Sequence, residues 1–474
     1  MSADTTSISD NDILKLFDLE TKNIDDLNIS HSKDGIHVFV KLALQPHVCP
    51  VCGNMTSKVK TYYTKTITHS VLSNVKCVID YKARRFICPH CHKTFYENNP
   101  FAFEGKRISY QTVYNVLGDL KDPRITFAKV AKRYNISAST AAAIFDQHVN
   151  IPRRHLSSYL CIDEVYAFKS YRSKYVCVLL DYSSQNIIDV LPSRHKADLI
   201  NYFSAIPRQE REKVKLCSFD MWETYRTVCH LMFPNALQSV DHFHVIQELN
   251  NQVDKVRIRV MNRIYKEKKE LLKRIKELTI QEKNRLEELS TQYYALKKFN
   301  WMIFTNNNRI FDPNQEKRYN AVFKRYMNYD DILSYMLGID TDLETAYEYK
   351  YALITFYQKC TTENAKAVLD EIIIDLRSCK VAEMNKFANT LIKWKYEIIN
   401  SLIIVEEKID KNGNVIHKRL NNGIIENRNK SIKLLKHSSN GYLNWERFRN
   451  RILYSLNSDS TFFMFPTFKK NDSD

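Results

Sequence analysis

Two kinds of chemistry are visible in this chain as residue type and spacing. Cys49, Cys52, Cys88 and Cys91 form the pattern C-x2-C twice, with residues 53–87 between the pairs. Zinc takes four soft ligands in a tetrahedron, and each C-x2-C turn offers two thiolates on one knuckle. Zn2+ is therefore the expected metal. His47, His90 and His92 lie nearby, but four thiolates leave them no vacancy, and Cys77 reads as strand packing. The second chemistry is acidic. In "SYLCIDEVYAF", an apolar run ends on Asp163 and Glu164. A strand alternates faces, so one acid must point at whatever the sheet buries or presents. A buried carboxylate is costly unless it is paired or binds a metal.

The thiols need a small β framework. "IHVFVKLAL" at 36–44 alternates like a strand and runs into the first pair, and "TYYTKTITHSV" and "VKCVIDYKARRFIC" alternate between the pairs. Residues 1–100 are read as an N-terminal region with a zinc ribbon, opened by a short amphipathic helix at 11–19. Residues 101–150 are read as a helix-turn-helix DNA-binding domain. Phe127, Val130, Ala131 and Tyr134 give a first helix its buried stripe, Asn135 suits a left-handed turn, and Ser137 or Ser139 caps the second helix. Such a second helix enters the major groove. Lys129, Lys132, Arg133, Ser137 and Thr140 are the expected DNA contacts, with Ile144 and Phe145 in the core.

From 158 the texture becomes α/β. Three apolar runs, a helix, the run "KVKLCSFD" ending on Asp220, a helix, "ALQSV" and another helix give the order of a ribonuclease-H-like α/β domain. In that order the first and fourth strands are neighbours, so Asp163 and Asp220 meet. Paired Mg2+ (or Mn2+) ions between them would relieve the repulsion and serve phosphodiester chemistry. Glu164 points away in a structural role, and Asp181 and Asp189 are read as turn residues. A third acid is sought on a later helix. In 421–453, Ile425, Ile432 and Leu435 form a buried stripe, while Glu426, Asn429, Lys430, Lys433 and His437 share another face. Glu426 is preferred over Glu223, Glu248 and Glu371, and Asn429, Lys430, Lys433, Lys436 and Arg449 are assigned to DNA. The catalytic domain is thus split into 155–250 and 411–474, around a helical insertion at 251–410. One long amphipathic helix is expected from "RIRVMNRIYKEKK" to "TQYYAL", and a hairpin at "VEEKIDKNGNVIHKRL".

Composition narrows the partners. The chain has 474 residues, 71 Lys plus Arg against 54 Asp plus Glu, and a net charge of +17, an excess that points to nucleic acid. Only 8 Gly are present and neither phosphate-loop nor dinucleotide glycine motifs occur, so those readings lose their main support. The start "MSADTTSISDND" is polar and acidic, and no apolar run reaches about 18 residues, so a cytoplasmic location with reduced thiols and no membrane partner is expected.

With those residues placed, the chain resembles the DDE transposases of the ISL-three group of bacterial insertion sequences. The likeness spans nearly all of it and is most specific near the C-terminus: Asn422, Gly423, Glu426, Asn429, Ile432, Lys433, Lys436, Gly441, Tyr442, Asn444, Phe448, Arg449 and Arg451 meet the family pattern. "DMWETY" matches at Asp220, Met221 and Tyr225, and "DHFHV" matches an acid-x-x-His signature at Asp241 and His244. Asn427 stands where Gly is frequent, Trp445 where Phe is usual, and "KHSSNGY" lacks an expected Arg. The resemblance implies Asp163, Asp220 and Glu426 as the catalytic triad, with Asp241 and His244 auxiliary. It also implies cleavage and strand transfer at terminal inverted repeats, on double-stranded DNA of element and target, by a homodimer or higher oligomer. A non-enzymatic DNA-binding regulator and a hydrolytic nuclease with the same core are the alternatives.

Overall fold

The computed structural model describes residues 24–70, 74–169, 173–305, 310–411 and 413–465; the helix expected at 11–19 lies outside them. Seven strands come first: β1 (Ile24–Ser32), β2 (Gly35–Leu42), β3 (His47–Val48), β4 (Met55–Thr56), β5 (Val59–Thr68), β6 (Cys77–Ile87) and β7 (Thr94–Tyr96). They form a sheet of order β1-β2-β6-β5, with β7 on β6 and the β3–β4 pair beside it. Alternation puts Val38, Val40, Ile67, Cys77, Ile79 and Tyr81 in one core. Gly35 turns the first hairpin at φ +131°, and a Cβ there would meet Lys76 O at 2.4 Å, so only glycine fits.

Three helices follow, Tyr110–Asp119, Phe127–Arg133 and Ala138–His148. Thr126 and Ser137 cap the last two, and Asn135 makes the turn between them at φ +55°. The sheet and this helical unit are stitched by buried polar contacts. Ser70 N donates to Thr112 Oγ1 at 2.8 Å, and His69 Nδ1 lies 2.9 Å from Ser109 Oγ.

The second large sheet is built from β8 (Tyr159–Tyr166), β9 (Tyr175–Asp181), β10 (Ile187–Leu191), β11 (Leu216–Phe219) and β12 (Leu237–Val240), in the order β10-β9-β8-β11-β12. β8 pairs antiparallel with β9 and parallel with β11, so the first and fourth strands are neighbours. Leu160, Ile162, Leu179 and Phe219 face one core, shared with the helices that follow. Cys161, Val165, Val178 and Leu180 face another, closed by Ile425, Ile432, Leu435, Phe448 and Ile452 of the helices Gly423–Ser438 and Trp445–Leu456. Each fully buried Ile or Leu contributes about 1.5–3 kcal/mol, which fixes both C-terminal helices on the sheet.

The helix Trp445–Leu456 also serves the N-terminal helical unit. Tyr454 packs in that unit's core and donates to Leu117 O at 2.9 Å, while buried Arg451 donates to Asp122 O and Ile125 O at 3.0 and 2.7 Å.

The insertion differs from expectation. In place of one long helix, the chain forms His242–Lys273 and Ile280–Lys298, folded back so that Arg285 pairs with Glu267 and Arg257 donates to Leu296 O. A capping box, Thr279 with Glu282, starts the second helix; the two reciprocal bonds make a break there favourable. The helix His242–Lys273 runs unbroken across the expected boundary between 250 and 251. The hairpin forms at Ile404–Ile409 and Val415–Arg419, antiparallel, with a bulge between Ile404 and Glu406. Among the described residues, no helix is long and apolar enough to cross a membrane.

Candidate functional site: a thiol cluster and a carboxylate centre

The four cysteines converge. Cys49 and Cys91 sulfurs lie 3.5 Å apart, as do those of Cys52 and Cys88, and all four lie within 4.8 Å of one another. A zinc tetrahedron with Zn–S near 2.3 Å has edges of about 3.8 Å, so the sulfurs fit that ion. The two knuckles repeat one backbone pattern: Gly53 N donates to Cys49 O and His92 N to Cys88 O, with both donors at positive φ. The backbone N–H of Asn54 pulls the Cys52 thiol down to about 6, toward the thiolate a metal needs. His47 stacks on Phe86 and joins no cluster.

The acids meet where the parallel pairing of β8 and β11 ends. That pairing stops at Cys161 and Ser218, and β8 continues to Asp163 while β11 gives way to Asp220. Asp163 is 8% exposed and shares a face with Cys161 and Val165, toward the helix Gly423–Ser438. It accepts from Asn429 Nδ2 at 2.7 Å and from Glu164 N at 2.7 Å. Burial, and then the neighbouring charge of Asp220, pushes its carboxyl up to about 8. Glu164 points the other way, paired with Arg194, as alternation requires.

Asp220 Oδ1 accepts from His244 Nε2 at 2.8 Å and from Asn422 Nδ2 at 3.3 Å. That bond to Asp220 holds the His244 imidazole above its ordinary value. Asp241, 2% exposed, caps the helix His242–Lys273 and accepts from Asn422 N at 3.3 Å. Burial pushes its carboxyl up, but the bonds from His242 and the helix N-terminus leave it below the usual value. Asp241, His244 and Glu426 place ligand atoms within 4.8 Å of one another. Thus His244 joins Asp220 to the group holding Glu426, and Asp163 faces Asp220.

Asn422 organises this centre. It is fully buried, accepts from Ser218 Oγ at 3.0 Å and donates to both Asp220 and Asp241. Arg419, three residues earlier, donates to Tyr357 O and Cys360 O, fastening the insertion helix Thr341–Lys359 to the same segment.

Several expected roles are corrected. Asn429 is no surface DNA contact: it is 7% exposed, on the buried stripe with Ile425 and Ile432, and bonded to Asp163. Arg449 is not free for phosphate either; its guanidinium pairs with Asp189 at 2.7 Å and bonds Ile151 O. Asp189 is accordingly no turn residue, but a buried acid within β10 that also accepts from Tyr202. Arg133 is committed to Asp119 at 2.6 Å. Lys129, Lys132, Lys430 and Lys433 are exposed, Lys436 is half-buried, and Ser137 and Thr140 lie at the start of their helix. Glu223 pairs with Lys393, Glu248 bonds Gln252, and Glu371 is exposed; none joins the acidic group.

Fold and site together define a mixed α/β protein with a four-cysteine zinc-ribbon cluster and a separate group of carboxylates and His244. The chain belongs to the ISL3 transposase family: residues 160–452 match its transposase region, and residues 45–91 match the zinc finger of the IS204/IS1001/IS1096/IS1165 transposases. It is similar to the transposase for insertion sequence element IS1001 of Bordetella parapertussis, 20% identical over 423 residues, covering 87% of this chain and 89% of that one.

Proposed function

We propose that this protein cuts DNA at the terminal inverted repeats of an insertion sequence and joins the freed ends to target DNA, with Asp163, Asp220 and Glu426 as the catalytic acids. The observation that carries this reading is the buried Asp163 facing Asp220 at the end of paired parallel strands. Two carboxylates so placed are stable as anions only with a cation between them. The strand order supports a ribonuclease-H-like core. The donor set suits a hard divalent ion: oxygens predominate, and the buried Asn429 Oδ1 has no hydrogen-bond partner among the described residues. Asp163, Asp220 and Glu426 would hold Mg2+ or Mn2+, with Asp241 and His244 alongside. Such an ion supplies charge neutralisation at the phosphate and an acidified oxygen nucleophile.

The chain's own residues do the rest. His244 holds Asp220 in place by its hydrogen bond, and Asn422 fixes Asp220 against Asp241. In the first step a water oxygen bonds to phosphorus and the 3′ oxygen leaves, taking a proton. In the second, that 3′-hydroxyl attacks a target phosphodiester, forming one P–O bond as another breaks. The paired helices Phe127–Arg133 and Ala138–His148 act as a helix-turn-helix on the element ends, with Lys129 and Lys132 on phosphates and Ser137 and Thr140 at the groove. The zinc ribbon adds a second DNA contact, Lys430 and Lys433 meet phosphates by the acids, and a homodimer or larger assembly pairs two ends.

The test is incubation of purified protein with labelled element ends, target DNA and Mg2+. Cleaved and joined products are expected. Binding without cleavage would favour a regulator, and cleavage without joining a nuclease.

A further inference from the structure

Beside the carboxylates runs a line of side chains with no part in the reaction described so far. Tyr166 and Tyr175 are direct cross-strand partners at the end of the β8–β9 pairing nearest the segment that connects the two strands, their rings edge to face at 5.5 Å. Arg194 lies over the Tyr175 ring at 4.1 Å and over the Trp222 ring at 4.9 Å. Lys436 lies over Tyr166 at 4.4 Å. The order along this line is cation, ring, ring, cation, ring. Tyr166 is 49% exposed and Tyr175 36%; Lys436, Arg194 and Trp222 are half-buried.

Four of the five members are tied to a segment carrying an acid; Tyr175 is tied through its pairing with Tyr166, three residues past Asp163. Trp222 stands two residues past Asp220, and Arg194 pairs with Glu164, the neighbour of Asp163. Lys436 is on the same helix as Glu426, about 15 Å further along it. The line and the acids are therefore fixed relative to each other. Exposed cation–ring pairs add little to folding, so stability alone gives no reason for such a row at this edge.

The chemistry selects the occupant. A duplex shows phosphates outside and base edges in its grooves, and keeps its base faces stacked. Rings alternating with cations match a strand whose bases are unstacked, each face finding a ring and each phosphate a cation. The geometry points to a track for an unpaired DNA strand next to the cleavage point. Tyr166 and Tyr175 stack bases and Lys436 meets a phosphate, while Arg194, held by Glu164 and lying over both the Tyr175 and Trp222 rings, positions Tyr175. This inference rests on the proposed transposase reading.

The test uses the full chain with a fluorescent single-stranded oligonucleotide, a blunt duplex end, and an end already unpaired around the cut. Tyr166→Ala and Tyr175→Ala should each lose about tenfold in single-strand affinity, while the matching Phe variants keep it. Lys436→Gln should shallow the single-strand salt slope by about 0.7. Duplex-end affinity should hold, and cleavage of the paired end should fall more than cleavage of the pre-opened end. If wild-type protein cuts ends while the Ala variants match it on both strand binding and paired-end cleavage, the track is overturned and the transposase reading stands. If wild-type protein binds and cuts no DNA, both fall together.

Discussion

The thiol cluster and the carboxylate centre both gather metal-ligating side chains, on opposite plans. The thiols come from two copies of one backbone knuckle, and the farthest pair in contact is 42 residues apart in sequence. Their geometry is set by local turns, and the core around them is small. The acids come from the middle of one strand, the end of another and the starts of two helices, and the Asn429–Asp163 bond alone spans 266 residues. They are held by a sheet, a long helix and a fully buried asparagine. A local site of the first kind depends on its metal to fold, whereas one of the second kind is positioned by the surrounding core and can exist without it. Removing ligands should therefore damage the two in different ways.

The largest effect is expected at the acids. Asp220→Ala or Glu426→Ala should lower cleavage and joining by several orders of magnitude, and the double variant little further, because the group acts as a unit. End binding and melting temperature should change little. Near wild-type cleavage by Glu426→Ala, with loss in Glu371→Ala, would remove Glu426 from the site.

The thiols should fail in the reverse manner. Cys88→Ser should lose stoichiometric zinc, measured by elemental analysis, and unfold the N-terminal sheet, seen as rapid amide exchange over residues 36–96, while the second sheet stays protected. Zinc retained at one per chain in that variant would break the contrast.

Much of this difference was readable beforehand. Spacing alone gave the thiols, since C-x2-C carries its own geometry. Alternation separated Asp163 from Glu164, and the order of elements brought Asp163 beside Asp220. What stayed hidden is burial set by packing between distant elements. Asn429 falls in step with Ile425 and Ile432, so an amide inside an apolar stripe was a sign of a buried partner. In the sequence Arg449 is one more cation on a basic segment, and only the position of β10 reveals its pairing with Asp189. The break in the insertion had a local signal, Thr279 followed by Glu282, outweighed by the continuous helical periodicity around it.

A smaller effect sharpens the electrostatics. Asp163 has a carboxyl raised from 3.8 to about 8, so the fold favours its protonated form. That stability is present in full below about pH 4 and is lost as pH rises to 8. Asp163→Asn should therefore melt like wild type near pH 4 and higher than wild type at pH 8.5 without metal. The gap should grow by at most about 1.4 kcal/mol per pH unit, and added Mg2+ should narrow it. A gap independent of pH would contradict the placement of Asp163 against Asp220.

The smallest expected effect separates two basic residues that look alike in sequence. Arg449→Ala leaves the buried Asp189 unpaired and should cost about 3 kcal/mol of stability, with the salt dependence of end binding unchanged. Lys129→Ala should do the opposite, keeping stability and reducing the salt slope by about 0.9. Equal salt slopes in the two variants would undo the distinction.

The helix Trp445–Leu456 carries a consequence for how the protein is made. Tyr454 completes the core of a helical unit whose own residues end near 149, and its bond to Leu117 O closes a span of 337 residues. At a synthesis rate of about 5–20 residues per second, the ribosome needs roughly 20–70 s to deliver Tyr454 after Leu117 has emerged. Throughout that interval the nascent helical unit lacks one wall. A message cut short before codon 445 would thus yield an N-terminal fragment whose helical unit has an open core.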